Sequence, residues 1–310
     1  MDSLEDNSLC KFRTDTLEII RKQYNLDKPG AMGDVIDILV AWIQMQEHFV
    51  KKDFDRGYLE RIVIRSKGSV EKAKVILDRI CTSRVLLPNF FGIYNIKDFD
   101  LSVIEDCILP NLTEQSERVY IMKNYGQSFT PELIRNFYLR SIYTIEYLCK
   151  YDYCNGLVSI IDYSTTNLVE MIKCLDLVEM RQFFEITLKS YGLRLKALHV
   201  ISSSKVIHAF VTILKQMLSE KLRDRIHIHS SVESVKELVD RKILPVEYGG
   251  LGPTRKELHQ IYLDAISTED FMSYIKNSYT AKTNEAFRQT ATFNDQYLGT
   301  PGSFRTLRVD

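Results

Sequence analysis

The sequence lacks the cysteine and histidine patterns that usually hold structural metal ions. Its six cysteines are scattered over 310 residues, without a C-x-x-C pair or zinc-finger spacing. Reduced thiols packed as small hydrophobic side chains are the simplest interpretation, and they are typical of an intracellular protein. His227 and His229 are two residues apart, but no third ligand lies near them in the sequence. No metal site is therefore predicted.

A strong net charge and long apolar segments are also missing. The 41 basic and 41 acidic residues cancel, which argues against a generic polyanion binder, so we expect no nucleic acid partner. The N-terminus has no signal-peptide pattern, and apolar stretches such as 35–43 are too short to cross a bilayer. We therefore expect a cytoplasmic, monomeric protein that associates with membranes only peripherally.

The sequence contains no familiar catalytic motif. There is no Walker A loop and no G-x-G-x-x-G, and the serines at 202–204 lack the flanking glycines of a nucleophile elbow. Asp162 is followed by hydroxyl-bearing residues, a pattern typical of a turn. We therefore predict neither an enzyme nor a bound cofactor.

Residues 1–95 have the apolar spacing of short amphipathic helices. Asp34, Asp55 and Ser69 are placed to cap three of these helices, and Gly68 suits the turn before the last one. Short helices with one apolar face pack into a small bundle. We predict an all-α N-terminal domain over 1–95.

Beyond residue 95, predicted strands alternate with predicted helices. The strands are expected at 118–123, 156–163, 198–201 and 225–229. Such alternation favours an α/β fold with a mixed, mainly parallel sheet flanked by helices. We predict this domain over 96–260. A C-terminal helix at 253–273 and an extended polar tail are expected to complete the chain in the last region, 261–310.

The segment 191–250 carries the clearest functional signals. A helix at about 206–218 has an unusually wide apolar stripe, which suits a helix covering a sheet and equally a lid over a lipid cavity. The overlapping segment 189–225 holds eight basic and two acidic residues. That excess indicates either a solvated face or a surface for anionic lipid head groups.

The same segment resembles the CRAL-TRIO lipid-binding domain. The resemblance rests on Arg194-Leu195-Lys196, on residues 198–201, 218–221 and 225–229, and on Leu-Pro-Val-Glu-Tyr-Gly-Gly at 244–250. It extends over about 30–260 and points to the branch that contains tocopherol transfer and retinaldehyde-binding proteins. It implies a hydrophobic pocket with a helical gate. The implied activity is intracellular transfer of a small hydrophobic ligand, such as a retinoid, tocopherol-like isoprenoid or carotenoid, with release triggered at membranes.

The resemblance also implies site residues. The implied pocket liners are Tyr143, Ile161, Phe183, Ile186, Ile207, Phe210 and Leu214. The implied basic rim, which would bind an anionic membrane or phosphoinositides, consists of Arg194, Lys196, Lys221 and Arg225. An arginine that the family's N-terminal domain adds to this rim is replaced by Ser66, so Arg65 or Lys67 is the candidate substitute.

Three departures from the family pattern affect the expected function. Serines at 202–204 replace an Asn-x-Pro hinge, and Gln216 replaces a proline in the gate. Leu193 stands where phosphatidylinositol-binding members carry glutamate, which favours neutral cargo. Two alternatives stay open: a phospholipid or phosphoinositide exchange or presenting protein, and a protein-interaction adaptor with a vestigial pocket.

Overall fold

The computed structural model describes residues 4–288. The chain begins with four helices: α1 (Thr16–Gln23), α2 (Ala31–Met45), α3 (Arg56–Arg65) and α4 (Val70–Leu86). Their apolar faces pack together around side chains such as Leu39, Leu59 and Leu77, which are fully buried.

Two of the three predicted helix caps are confirmed. The side chains of Asp55 and Ser69 each accept a hydrogen bond from a backbone amide in the first turn of α3 and α4. The prediction for Asp34 is wrong, because α2 begins at Ala31, directly after Gly30 in a left-handed conformation (φ +83°). Asp34 therefore lies inside the first turn, where its charge still complements the helix dipole.

A five-stranded sheet follows, and its strands lie side by side in chain order. They are β1 (Ile104–Leu109), β2 (Arg118–Asn124), β3 (Leu157–Asp162), β4 (Leu195–Ile201) and β5 (Ile226–His229). The first pair is antiparallel and the other three pairs are parallel. The predicted α/β fold with a mixed, mainly parallel sheet is confirmed.

Helices connect the parallel strands. The connections are α5 (Pro131–Tyr151) after β2, α6 (Leu168–Lys173) and α7 (Leu177–Phe184) after β3, and α8 (Val206–Gln216) and α9 (Glu220–Arg223) after β4. A π-helical turn, Glu185–Ser190, extends α7. These crossovers place helices against the sheet, as parallel strands require.

The C-terminal region contains two helices where one was predicted at 253–273. They are α10 (Arg255–Ala265) and α11 (Glu269–Ser278), and the hydroxyl of Thr268 caps the second by accepting from a backbone amide. The prediction of one continuous helix is therefore wrong. Most of the predicted polar tail, residues 289–310, lies outside the described residues. No helix within residues 4–288 is long and apolar enough to cross a membrane.

The edge strand β1 was not predicted, because charged residues interrupt its apolar pattern. Asp106 lies in the middle of the strand and is fully buried. The guanidinium of Arg140, on α5, lies 2.7 Å from its carboxylate. A buried charge is tolerated when it is paired in this way, and this pairing cannot be read from sequence spacing.

A buried ion pair connects the N-terminal helices to the rest of the chain. Arg84 of α4 lies 2.8 Å from Glu146 of α5, and both side chains are at most 2% exposed. The hydroxyls of Tyr191, before β4, and Tyr274, in α11, also donate to Glu146, at 2.5 and 3.2 Å. Four separate parts of the chain therefore meet at one carboxylate.

The 244–250 motif folds onto the face of the sheet that also packs Cys107, Ile160 and Leu258. Tyr248 donates a hydrogen bond of 3.2 Å to Asp162, at the end of β3. Lys123 of β2 also lies 3.0 Å from Asp162. The motif is therefore attached to the carboxyl edge of the neighbouring strands β2 and β3.

We expect Gly250→Ala to destabilise the fold strongly. A methyl group at this position would lie 1.8 Å from the backbone oxygen of Leu244, so the backbone must move. The free energy of unfolding should fall by roughly 2 kcal/mol or more, measured by urea denaturation. Gly33→Ala is the matched control, because nothing lies within 4 Å of its added methyl. In the interior of α2 it should be neutral or stabilising by up to about 1 kcal/mol. Equal losses of unfolding free energy in the two variants would contradict the conclusion that the backbone of Leu244 leaves no room for a side chain at Gly250.

Candidate functional site

An apolar cavity of about 220 Å³ lies between the sheet and helices α5 to α8. Alternate residues of β2 and β3 point into it, since every second side chain of a strand faces the same way. These residues are Tyr120, Met122, Asn124, Leu157, Ser159, Ile161 and, just after β3, Tyr163. Among the described residues that line the cavity, none carries a charged side chain. The cavity can therefore hold a largely apolar molecule.

Four of the seven predicted pocket liners surround this cavity: Ile161, Phe183, Phe210 and Leu214. Tyr143, Ile186 and Ile207 are buried in the core outside its lining. The hydroxyl of Tyr143 accepts from the amide of Tyr94 at 2.8 Å, on the far side of α5. The ligand-binding role of all seven stays a prediction.

Helix α5 contributes lining residues that the prediction omitted. They are Leu133, Ile134, Phe137, Tyr138, Ser141, Thr144, Ile145 and Leu148. Their spacing of three and four residues marks one helical face, so this signal was present in the sequence. Tyr143 directly precedes Thr144 and points elsewhere, because successive helical residues are turned by about 100°.

Helix α8 covers one side of the cavity, as the gate prediction requires. Phe210 packs its ring edge-on against Tyr163, with ring centroids 5.6 Å apart, and Leu214 lies one turn further along. The serines before α8 bond to local backbone: Ser202 accepts from the amide of Ser204 at 3.2 Å. Ser204 in turn accepts from the amide of Val206 at 3.3 Å. These hydroxyls fix the start of α8 without a proline.

Three of the predicted rim residues gather with a lysine from the N-terminal helices. The pKa of Lys67 is lowered, mainly by the positive charges of Arg194 and Lys221, and to a smaller extent by burial, by Lys72 and by Arg225. Lys67 follows α3 in a left-handed conformation (φ +57°), which turns the chain next to these residues. We call Lys67, Arg194, Lys221 and Arg225 the cationic rim.

Other predicted rim candidates lie in different surroundings. Lys196 is 3.2 Å from the carboxylate of Glu117, which balances its charge. Ser66 is buried. In Arg65, Nε and Nη2 are buried and have no hydrogen-bond partner among residues 4–288. Of the two candidate substitutes, Lys67 is therefore the one that joins the rim. The binding role of every rim residue stays a prediction.

Three histidines meet on the sheet face opposite the cavity. His199 alternates with Leu198, which lines the cavity, and it pairs in register with His227 of β5. Nδ1 of His199 lies 3.0 Å from Nε2 of His229. Within residues 4–288, no group of three or more His, Cys, Asp or Glu side chains has the arrangement to hold a metal ion.

Comparison with known proteins finds one matching family model and relatives that are similar across most of the chain. A family model described as the CRAL/TRIO domain matches residues 107–250. The alpha-tocopherol transfer protein-like protein of Homo sapiens is 30% identical over 284 residues, covering 85% of this chain and 78% of that protein. Its Mus musculus counterpart is 29% identical over 281 residues, with the same coverage.

Two further similarities are more limited. Clavesin-2 of Rattus norvegicus is 29% identical over 143 residues, which are 44% of this chain and only 42% of clavesin-2. A solved structure, "Crystal structure of Sfh5", superposes with a TM-score of 0.48 at 14% identity. It covers 86% of this chain and 98% of that chain.

The histidine group should make the protein sensitive to acid. Burial, followed by the charges of His229 and His227, lowers the pKa of His199 from 6.5 to about 4. As pH falls, the unfolded chain therefore takes up this proton first, and stability present above about pH 6.5 is lost towards pH 4. His199→Gln should reduce this loss in thermal unfolding between pH 7 and 4. His208→Gln, at an exposed position on α8, should leave it unchanged; identical pH profiles for the two variants would refute the assignment.

Proposed function

Because this chain belongs to the CRAL/TRIO family, we propose that it binds one small hydrophobic molecule in its cavity and transfers it between membranes. The observation that carries the proposal is the apolar cavity, whose described lining holds no charged side chain. Burying about 400 Å² of apolar ligand surface would contribute on the order of 10 kcal/mol before entropy costs. Release would then be slow unless the gate opened.

We propose an uncharged isoprenoid, such as a retinoid, a tocopherol-like molecule or a carotenoid, as the cargo. The uncharged lining and Leu193, which lies in that lining, support a neutral ligand. Relatives named for alpha-tocopherol transfer also match across most of this chain. A cavity of 220 Å³ further favours a carrier over an adaptor with a vestigial pocket.

The volume of the cavity limits the size of ligand that can enter without a change in the protein. Its volume of 220 Å³ exceeds only moderately the roughly 150 Å³ of an engineered cavity that binds benzene. A molecule of isoprenoid length therefore requires side chains to move outward. Met122, Met171 and Met180 are in the lining, and unbranched methionines adapt readily to a new shape. We propose that loading enlarges the cavity while α8 moves.

The alternative cargo is a phospholipid, and the cationic rim is the observation that favours it. Lys67, Arg194, Lys221 and Arg225 would attract a phosphate head group at the surface, while the acyl chains entered the cavity. The cationic rim would, in addition, attract the protein to anionic membranes. Leu177 and Val178, at the start of α7, are 48% and 66% exposed, and such apolar side chains suit membrane contact.

The cargo is tested by organic extraction and native mass spectrometry of the purified full-length protein. We expect one neutral lipid per chain, and a co-purified phospholipid would instead support the alternative. Ser159→Trp should prevent retention, because the indole ring would fill the cavity; circular dichroism verifies its fold. Met171→Trp is a second filling variant, and Ser102→Trp, at an exposed position outside the lining, is the control. Normal lipid retention by both filling variants would refute the proposed site.

Membrane docking is tested by reversing charge in the cationic rim. Lys221→Glu with Arg225→Glu should weaken binding to phosphatidylserine-containing vesicles by on the order of 30-fold or more, since each basic residue contributes about 1 kcal/mol. Vesicle co-sedimentation measures the effect. Lys256→Glu with Lys276→Glu changes net charge equally at exposed sites on α10 and α11, and should have little effect. Equal effects of the two double variants would mean that overall charge, and not the rim, attracts the protein.

A further inference from the structure

Three hydroxyl groups in the cavity wall have no hydrogen-bond partner within residues 4–288. They belong to Tyr138, Ser159 and Tyr163, which are 5, 7 and 9% exposed. Other hydroxyls in the wall are bonded: Ser141 and Thr144 donate to backbone carbonyls one turn earlier in α5, at 2.8 and 3.0 Å. Because these hydroxyls line the cavity and can donate or accept a hydrogen bond, the three positions are suited to a polar atom of the ligand.

The two tyrosines lie at the gate end of the cavity. Tyr163 follows β3 at the carboxyl edge of the sheet, with its ring against Phe210 of α8. Tyr138 stacks on Phe183, with ring centroids 4.6 Å apart. Tyr138 and Tyr163 both line the cavity, and burial raises the pKa of Tyr138. Ser159 lies four residues earlier in β3, about 13 Å deeper along the strand.

The electrostatics of this end exclude a charged head group. No lysine, arginine or histidine occurs among the described lining residues, so a buried carboxylate or phosphate would lack a countercharge. Burial also raises the pKa of both tyrosines, which keeps their hydroxyls neutral. A neutral phenol can donate a hydrogen bond to a carbonyl or hydroxyl oxygen, and can accept one from a hydroxyl.

We propose that Tyr138 and Tyr163 are the residues that bind the polar end of the cargo and set its orientation. The ligand's single uncharged hydroxyl or carbonyl lies between them, beneath α8. Its apolar part extends towards Leu157 and Leu195, at the amino ends of β3 and β4. This inference rests on the proposed carrier function. It adds the chemical class of the ligand's head group and the orientation of the ligand in the cavity. The polar end would leave first when α8 opens.

A matched set of twelve-carbon ligands tests the proposal on the full-length chain, stripped of lipid. The ligands are 1-dodecanol, dodecanoic acid and dodecane, and isothermal titration calorimetry measures their affinities. The wild type should prefer dodecanol. Tyr138→Phe with Tyr163→Phe should lower its affinity for dodecanol about tenfold, as expected for the loss of hydrogen bonds to the ligand, and should leave its affinity for dodecane unchanged. Tyr125→Phe, at an exposed tyrosine outside the cavity lining, is the control and should change neither affinity.

Dodecanoic acid tests whether the cavity excludes a charged head group. Its binding should strengthen as the pH is lowered towards the pKa of free dodecanoic acid, because only the neutral form suits the cavity. Equal binding of dodecanoic acid at all pH values would overturn the requirement for an uncharged head.

The remaining outcomes separate this inference from the proposed function. If the wild type binds dodecane as tightly as dodecanol, or if the double variant loses no more for dodecanol than for dodecane, the carrier function stands and the roles of Tyr138 and Tyr163 are refuted. If the wild type binds none of the three ligands, the carrier function itself fails.

Discussion

The arrangement of the molecule depends on the buried ion pair between Arg84 and Glu146. Two charges this far from water are stable only together, because either one alone would keep the full cost of its lost hydration. Tyr191 and Tyr274 supply further donors to the same carboxylate. The first layer of helices, the long helix α5, the start of β4 and the helix α11 are consequently held in one relative position. The back wall of the cavity, formed by α5 and the sheet, is therefore supported from outside the cavity.

The opposite side of the cavity has no comparable support among the described residues. Helix α8 begins after a serine-rich turn whose side-chain hydrogen bonds are local, while the amide of Ser202 donates to the carbonyl of His229 at 2.9 Å. Helix α9 is only four residues long. The side chains of α8 that face the cavity, such as Phe210 and Leu214, are apolar and make no directional bonds. Apolar contacts can be replaced by a ligand or a membrane at little cost, whereas a buried ion pair cannot. The two sides of the cavity therefore differ in the kind of interaction that holds them.

Sequence patterns predicted the parts of this fold that depend on local physics. The apolar run of β3 and the caps at Asp55 and Ser69 follow from the period and chemistry of neighbouring residues. Features that depend on distant partners could not be predicted. Strand β1 contains Asp106, whose buried carboxylate is paired with Arg140 and accepts a hydrogen bond from Tyr120. Lys67 joins the cationic rim through charged residues that are distant from it in the sequence. Within the cavity, the helical spacing along α5 was informative, but the choice of Tyr143 was one residue away from the lining position Thr144.

A ligand that binds in the cavity would connect ligand supply to the abundance of the folded protein. A molecule that binds only the native chain shifts the folding equilibrium by mass action, in proportion to the logarithm of its free concentration relative to its dissociation constant. If Tyr138 and Tyr163 bind the polar end of the cargo as proposed, their hydrogen bonds to it would increase that shift. The melting temperature would then depend on how much ligand the purified protein carries, as well as on its sequence. In a cell, a shortage of cargo would leave more of the protein without ligand. The ligand-free protein would unfold more often and would be degraded faster.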